Sequence, residues 1–269
     1  MVFISIFFYI IFISKNKDKS NYVYIHRFLH KMQKLFVISV ATENTEEFKR
    51  FERSLNIQEI EYKILGMNTK WQGGNMEMGP GGGQKINMLR SELMTWNKER
   101  LNKYTILFTD SYDVITLTNS TEILNKYNGI CDNDTVLFTA EKGCWPLTQL
   151  DVFYPETDSE YKFLNSGGFI GNAERILNLL EKKIENCEDD QLYYTKIFLF
   201  DNKLPDNNQK IILDYNCEIF QTLNCSFDDI QVMNKRVLNK YTNTFPCLLH
   251  GNGPNSVKEY LSRLCNRIY

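Results

Sequence analysis

Short apolar runs alternate along the chain with segments whose apolar residues recur every three or four positions. The run at residues 35–42 is rich in β-branched residues and ends in polar ones, which is typical of a strand buried on both faces. Asn44 and Glu47 follow at the spacing of a capping box and begin a predicted helix. The alternation continues to the C-terminus and predicts a single α/β domain with a mostly parallel sheet flanked by helices.

The same pattern indicates where individual elements lie. We predict strands at residues 35–42, 59–66, 104–109 and 135–140, and an extended segment at residues 163–171. We predict helices at residues 44–55, 86–96, 121–127, 173–186 and 257–264. Ligands of such sheets bind beyond the carboxyl ends of the strands, so the chemistry is expected in polar segments that directly follow apolar ones. Three segments meet this condition: residues 110–113, 141–145 and 165–168.

The N-terminal segment has the strongest compositional bias. Residues 2–13 are apolar except for Ser5, and a helix of this length reaches about 18 Å, short of the roughly 30 Å hydrocarbon core. Lysine and arginine follow this run, and a weak anchor of this kind would leave the body of the protein on the cytoplasmic side. A targeting segment with weak membrane association and a dispensable extension both remain open. We therefore expect an extension at residues 1–31 and one domain at residues 32–269.

Composition excludes some classes of function. Lysine and arginine number 31 against 33 aspartates and glutamates, a formal charge of -2, so no global positive field favours nucleic acid. The seven cysteines include no CxxC pair, which argues against a zinc ribbon or a thioredoxin-type site. We expect these cysteines to be small buried hydrophobic residues, with one or two incidental disulfides allowed.

Two candidate metal-ligating patterns occur. Asp110 and Asp113 lie three residues apart where a predicted strand ends, and hard divalent cations prefer carboxylate oxygens. Alternatively, Asp110 caps the next turn and Asp113 is solvated. His250 ends an apolar run and precedes a glycine-rich turn, which suits either a structural histidine or a ligand beside backbone N–H groups that could bind phosphate.

Other polar segments leave similar alternatives. Residues 79–85 open a helix and could bind an anion through free amides and Lys85, or form a flexible loop; the P-loop pattern is absent. Asp189 and Asp190 begin a predicted helix, either as a solvated N-terminus or as carboxylates that orient a sugar hydroxyl. Trp71 and Trp145 lie on predicted loops, where an indole can stack on a pyranose or pack into the core.

Eight of these segments, in this order, resemble the glycosyltransferase domain of the procollagen lysyl hydroxylase/glycosyltransferase family. The resemblance covers residue 35 to the C-terminus, and stand-alone versions of the domain occur in large DNA viruses. The matching segments are residues 40–42, 71–74, 81–85, 110–113, 140–146, 163–171, 189–192 and 250–254.

This resemblance implies a GT-A fold, a Rossmann-like sheet that binds a UDP-sugar and Mn²⁺ and transfers glucose with retention to galactosyl-hydroxylysine of collagen. It implies that the metal ligands are Asp110, Asp113 and His250. It implies that UDP is held by Val40, Ala41, Thr42, Lys85, Asp110, Ser111, Tyr112, Gly253, Pro254, Asn255 and Ser256. It implies that Trp71, Glu141, Asn165, Asp189 and Asp190 face the sugar and the acceptor.

Some alternatives stay open at this stage. Transfer of galactose to hydroxylysine itself, or a non-catalytic module that binds collagen or glycan, would use the same scaffold. Iron and 2-oxoglutarate are not expected, because the chain ends soon after the segment at residues 250–254. The cytoplasm of an infected host cell and the lumen of the endoplasmic reticulum are the compartments considered.

Overall fold

The computed structural model describes residues 33–75, 79–201 and 210–269. Its strands are β1 (Lys34–Val40), β2 (Tyr62–Leu65), β3 (Tyr104–Thr109), β4 (Val114–Thr116), β5 (Thr135–Glu141), β6 (Phe163–Asn172), β7 (Lys210–Leu213), β8 (Phe220–Thr222), β9 (Ile230–Met233), β10 (Arg236–Asn239) and β11 (Leu248–His250). Its α-helices are α1 (Glu46–Ile57), α2 (Gly83–Met94), α3 (Lys98–Lys103), α4 (Ser120–Ile130), α5 (Ala173–Leu179), α6 (Asp190–Leu199) and α7 (Asn255–Ile268). Short 3₁₀ helices occupy Thr148–Phe153 and Phe227–Asp229. The predicted extension at residues 1–31 lies outside the described residues.

A six-stranded sheet in the order β2-β1-β3-β6-β5-β7 forms the centre of the domain. β1 is parallel to β2 and β5 is parallel to β7, whereas β6 is antiparallel to both of its neighbours. A second sheet has the order β4-β11-β8, and β9 and β10 form a separate antiparallel pair. The α/β class is therefore confirmed, and the antiparallel direction of β6 makes the central sheet mixed.

Alternate residues of β1 belong to different clusters of the hydrophobic core. Phe36 and Ile38 pack with the apolar side chains of α2, α5 and α6, while Leu35 and Val37 pack with those of α1 and α4. Helices thus cover both faces of the central sheet, which explains why its strands read as continuous apolar runs. A smaller third cluster lies between the second sheet and α7.

The structure corrects the predicted start of the first helix. Thr45, and not Asn44, is the N-cap of α1, because its side-chain oxygen accepts the N–H of Phe48 at 3.3 Å. Glu47 still lies in the first turn, where a negative charge interacts favourably with the helix dipole.

The helix predicted at residues 173–186 ends at Leu179. Residues beyond it instead bind the beginning of α2: Gly83 N–H donates to Glu188 O and Gln84 N–H donates to Asn186 O, both at 2.9 Å. These carbonyl groups satisfy two of the N–H groups that every helix leaves unpaired at its start. A tertiary contact therefore replaces the last turns of the predicted helix.

All seven cysteines are free thiols, so the incidental disulfides do not form. Cys131, Cys217 and Cys247 are buried, as expected of small apolar residues. Contrary to the expectation, Cys144 and Cys265 are half-buried and Cys187 and Cys225 are exposed. Within the described ranges, no helix has the length and apolar character needed to cross a membrane.

Candidate functional site

The three polar segments expected at strand ends meet at one edge of the central sheet. Asp110 follows β3, and its N–H donates to the carbonyl of Gly167 in β6 at 2.9 Å. Asn165 of β6 donates its side-chain amide to Glu141, the last residue of β5, at 3.0 Å. Because β6 runs antiparallel to its neighbours, its first residues lie beside the last residues of β3 and β5. The structure thus brings these segments together.

Asp110, Asp113 and His250 form a cluster whose ligand atoms all lie within 4.8 Å of one another. Pairing of β4 with β11 brings His250 beside Asp113, since His250 is opposite Val114 and Gly251 N–H donates to Asp113 O at 2.7 Å. Nε2 of His250 lies 3.5 Å from Oδ1 of Asp113 and 3.9 Å from Oδ2 of Asp110. The side chain of Asp113 is only 16% exposed, which does not fit the alternative of a solvated carboxylate.

The charges in this cluster depend on one another. Burial lowers the pKa of His250, but the carboxylates of Asp113, Asp110 and Glu141 together raise it by more. Burial raises the pKa of Asp113, but the imidazole of His250 together with Lys258 and Lys85 lowers it by more. Nδ1 of His250 is buried and finds no hydrogen-bond partner among the described residues. Two carboxylates and one imidazole at this spacing fit a divalent cation such as Mn²⁺.

Lys85 lies between Asp110 and Asp190 in the third position of α2. Its Nζ is 2.8 Å from Oδ1 of Asp110 and 2.7 Å from Oδ2 of Asp190. Burial lowers the pKa of Lys85, but the two carboxylates raise it by more, so the side chain is a cation. Lys85 therefore links the candidate metal site to the acidic segment.

A glycine allows this close approach of α2 and α6. Gly82, the N-cap of α2, has φ +97°, and a Cβ there would lie 2.6 Å from Cγ of Asp190. The neighbouring Asp189 is the N-cap of α6, since its Oδ1 accepts the N–H of Leu192 at 2.6 Å. The two acidic residues thus differ in their contacts: Asp189 caps a helix and Asp190 pairs with Lys85.

Glu141 is buried and accepts hydrogen bonds from three side-chain amides. Asn165 and Gln191 donate to Oε1 at 3.0 and 2.9 Å, and Asn252 donates to Oε2 at 2.8 Å. Burial raises the pKa of Glu141, while these donors act in the opposite direction. The sequence pattern indicated no role for Gln191 or Asn252. The signal that could have identified them was their place inside the matching segments 189–192 and 250–254, directly after Asp190 and two residues after His250.

Two cavities meet at the candidate metal site. The first, of about 750 Å³, is lined by Glu141, Trp145, Asn165, Asp189, Asp190, Gln191, Asn252, Gly253, Pro254 and Asn255, among others. The second, of about 860 Å³, is lined by Val40, Ala41, Thr42, Trp71, Ser111, Tyr112 and residues of α1 and α7. Lys85, Asp110, Asp113, Asn255 and Lys258 line both. Trp71 lines the second cavity, whereas the other residues expected to face the sugar and the acceptor line the first. Ser256 lies exposed one residue into α7.

Side-chain contacts hold the wall of the second cavity in place. The hydroxyl of Tyr112 accepts the N–H of Thr42 at 3.0 Å, and Ser111 Oγ donates to Val40 O at 2.7 Å. Arg50, which the sequence analysis missed, donates from Nη2 to Tyr112 O at 2.9 Å. These contacts explain why residues 40–42 and residues 111–112, which are distant in sequence, form one wall of the second cavity.

Comparison with known proteins adds the following findings. The family model described as "PLOD GT domain" matches residues 31–269. "Uncharacterized protein R699" of Acanthamoeba polyphaga mimivirus is 37% identical over 217 residues, 81% of this chain and 45% of that protein. "Procollagen-lysine,2-oxoglutarate 5-dioxygenase" of Drosophila melanogaster is 40% identical over 247 residues, 87% of this chain and 33% of that protein.

A human relative is similar to the same extent. "Multifunctional procollagen lysine hydroxylase and glycosyltransferase LH3" of Homo sapiens is 37% identical over 239 residues, 84% of this chain and 30% of that protein. The chain therefore spans less than half the length of these curated relatives.

Proposed function

The chain belongs to the PLOD GT domain family, and on this premise we propose that it is a Mn²⁺-dependent, retaining glycosyltransferase. The donor is UDP-glucose, and the acceptor is galactosyl-hydroxylysine of collagen or a collagen-like protein. The name of the human relative, which includes both hydroxylase and glycosyltransferase, supports the reaction class.

One observation carries the proposal: the cluster of Asp110, Asp113 and His250 lies where two cavities of substrate size meet. A glycosyl transfer needs the donor and the acceptor to meet at the anomeric carbon, and retention requires the acceptor oxygen to take the face from which the diphosphate leaves. The second cavity suits the nucleotide, and the first suits the sugar and the acceptor.

The three residues of the cluster would hold the metal. A bound divalent ion supplies charge neutralisation for the diphosphate leaving group. Asp110 faces His250 with Oδ2 while its Oδ1 pairs with Lys85, so the two oxygens have separate tasks. Lys85 brings a fixed positive charge to the point where the donor and acceptor cavities meet.

The remaining side chains divide between the two substrates. Backbone groups of residues 40–42 with Tyr112 form the nucleotide wall, and the first turn of α7 would direct its unpaired N–H groups at the diphosphate. Asp190 lines the first cavity, where its carboxylate would orient the acceptor hydroxyl or stabilise the positive anomeric centre. Trp145 lines the same cavity and is 54% exposed, so its indole would stack on the acceptor sugar.

Turnover with a panel of UDP-sugars tests this function. The protein is incubated with Mn²⁺ and each sugar nucleotide, with and without collagen peptides that carry hydroxylysine or galactosyl-hydroxylysine, and free UDP and peptide mass are measured. We expect a gain of one hexose on the galactosylated peptide, with UDP-glucose as the preferred donor. A product only on hydroxylysine would indicate galactose transfer, and peptide binding without UDP release would indicate a non-catalytic module.

A further inference from the structure

We propose that Glu141 is a positioning residue that acts through the amides of Asn165, Gln191 and Asn252. Through them it fixes three backbone segments around the candidate metal site. The consequence for turnover rests on the proposed glycosyl transfer, whereas the structural part of the inference does not.

The first step is that both oxygens of the Glu141 carboxylate already accept hydrogen bonds. Asn165 and Gln191 donate to one oxygen, and Asn252 donates to the other, at 2.8 to 3.0 Å. The side chain is 5% exposed. A carboxylate whose two oxygens already accept three hydrogen bonds is better suited to holding its donors than to moving a proton of the substrate.

The second step is that each amide uses its oxygen to hold a backbone N–H. Oδ1 of Asn165 accepts from Gly167 at 3.0 Å, and Oε1 of Gln191 accepts from Ser166 at 3.2 Å. Oδ1 of Asn252 accepts from residues 223 and 224, both at 3.2 Å. Because each oxygen faces a donor, all three NH₂ groups must face Glu141, so this position requires a group that only accepts.

The third step is that these backbone segments need such support. Phe138 pairs with Phe169, but the next residue of β5, Thr139, pairs with Asn165, so residues 166–168 bulge out of the β5 ladder. The bulge carries Gly167, whose carbonyl accepts the N–H of Asp110. Ladder hydrogen bonds to β5 are interrupted there, and the amides take their place.

The turn after β11 is held in the same way. Leu223 donates its N–H both to the carbonyl of His250 and to Oδ1 of Asn252, which ties the end of β8 to the histidine and to the turn that follows it. Glu141 is therefore joined through single amides to the segment beside Asp110, to the start of α6 beside Asp190, and to the segment beside His250. The three groups expected to act on substrates depend on this one carboxylate for their relative positions.

An exchange of side chains tests the proposal. In E141Q the new NH₂ group faces the NH₂ group of Asn252, and in N252D a second carboxylate faces Glu141. The double variant E141Q/N252D restores every hydrogen bond, since Oε1 of the glutamine can still accept from Asn165 and Gln191 while its NH₂ donates to the aspartate. The net charge of the double variant equals that of the native chain.

We expect each single variant to lose 10- to 100-fold in kcat, with the KM for the UDP-sugar changed less than threefold. The double variant should return to within about fivefold of native kcat. The matched control is E160Q, the same change at an exposed residue that pairs with Lys142; it should have native activity.

Hydrogen exchange provides a readout that does not need turnover. In the full chain without substrates, the backbone N–H groups of Ser166, Gly167 and Asn224 should exchange faster in each single variant and regain native protection in the double variant. A protein that shows this pattern but transfers no sugar would contradict the proposed function and leave the positioning role intact.

Three outcomes would overturn the inference. The first is a double variant that shows no recovery in folding, hydrogen-exchange protection or kcat relative to the single variants. The second is single variants that match the native protein. The third is a double variant with native protection but lost turnover, because the charge of Glu141 itself would then act in the reaction.

Discussion

Gly167 lies directly against the imidazole of His250. A Cβ atom at Gly167 would come within 2.2 Å of Cε1 of His250 and 2.9 Å of Oδ2 of Asp110. The absence of a side chain at this position of the β6 bulge therefore makes room for the candidate metal ligands.

Gly167→Ala is accordingly expected to displace His250 and to lower kcat/KM at least 100-fold, because a shift of about 1 Å in a catalytic group has this effect. Steady-state kinetics at saturating Mn²⁺ measures it. Gly129→Ala is the control, since a Cβ there meets no atom within 4 Å. Activity of Gly167→Ala within a few-fold of native would contradict this account of the site.

Asp113→Ala should abolish turnover, because a site with one carboxylate and one imidazole holds a divalent ion weakly. The melting temperature offers an independent measurement. Mn²⁺ should raise it for the native protein by preferential binding to the folded state, and should leave that of the variant unchanged. In EDTA the two proteins should melt within a few degrees of each other, since the carboxylate contributes little to the core. Full activity of the native protein in EDTA would refute the prediction.

Asp190→Asn should separate donor binding from transfer. The substitution keeps shape and a hydrogen-bond acceptor for Lys85 but removes the negative charge that would orient the acceptor or stabilise the anomeric centre. We expect a loss on the order of 10² in kcat with nearly native affinity for UDP and Mn²⁺. Asp134→Asn, at a 70% exposed surface ion pair, is the control. If UDP affinity collapsed while transfer stayed near native, Asp190 would belong to the donor site.

Because the carboxyl group of Asp214 is buried, we expect the stability of the protein to depend on pH. Burial raises its pKa to about 6, although the N–H groups of residues 218, 219 and 220 act against this rise. The folded state therefore holds the proton more tightly than the unfolded chain does, with an unfolded pKa of about 3.9. The resulting stability is fully present below pH 4 and is lost as the pH rises through 6, a decrease of about 3 kcal/mol in the free energy of unfolding.

Denaturant unfolding between pH 4 and pH 7 measures this contribution. Asp214→Asn should lower stability overall, because the amide cannot accept all three N–H groups, and should flatten the decline between pH 4 and pH 6. Asp134→Asn, with an exposed carboxylate, should keep the native slope. Parallel curves for Asp214→Asn and the native protein would contradict the prediction.

Much of the fold was evident in local sequence patterns. The apolar runs at β1, β3 and β5 match the predicted strands to within two residues, because a strand covered by helices on both faces is apolar throughout. The grouping of Asp110 and Glu141 was also predictable, since polar residues that follow buried strands of one sheet gather at its edge. Asn165 joins them from near the start of β6, because that strand runs antiparallel to β3 and β5, and the sequence pattern did not show this direction.

Other features depend on partners far away in sequence. The chain beyond Leu179 leaves the helical path because its carbonyl groups bind the first N–H groups of α2, about a hundred residues earlier. The spacing of apolar residues near residue 180 gives no sign of that contact, so the sequence pattern predicted a longer helix.

The roles of Lys85, Gln191 and Asn252 likewise came only from the three-dimensional arrangement. A lysine in a glycine-rich loop suggests an anion site, and the sequence does not reveal that two carboxylates lie within 2.8 Å of its nitrogen. Amide side chains have no characteristic spacing, since each can donate and accept in any register. Residue order thus determined the strands, the helices and the edge where the chemistry lies. Which groups pair there was decided by packing between distant segments, because hydrogen bonds and ion pairs form between neighbours in space whatever their separation along the chain.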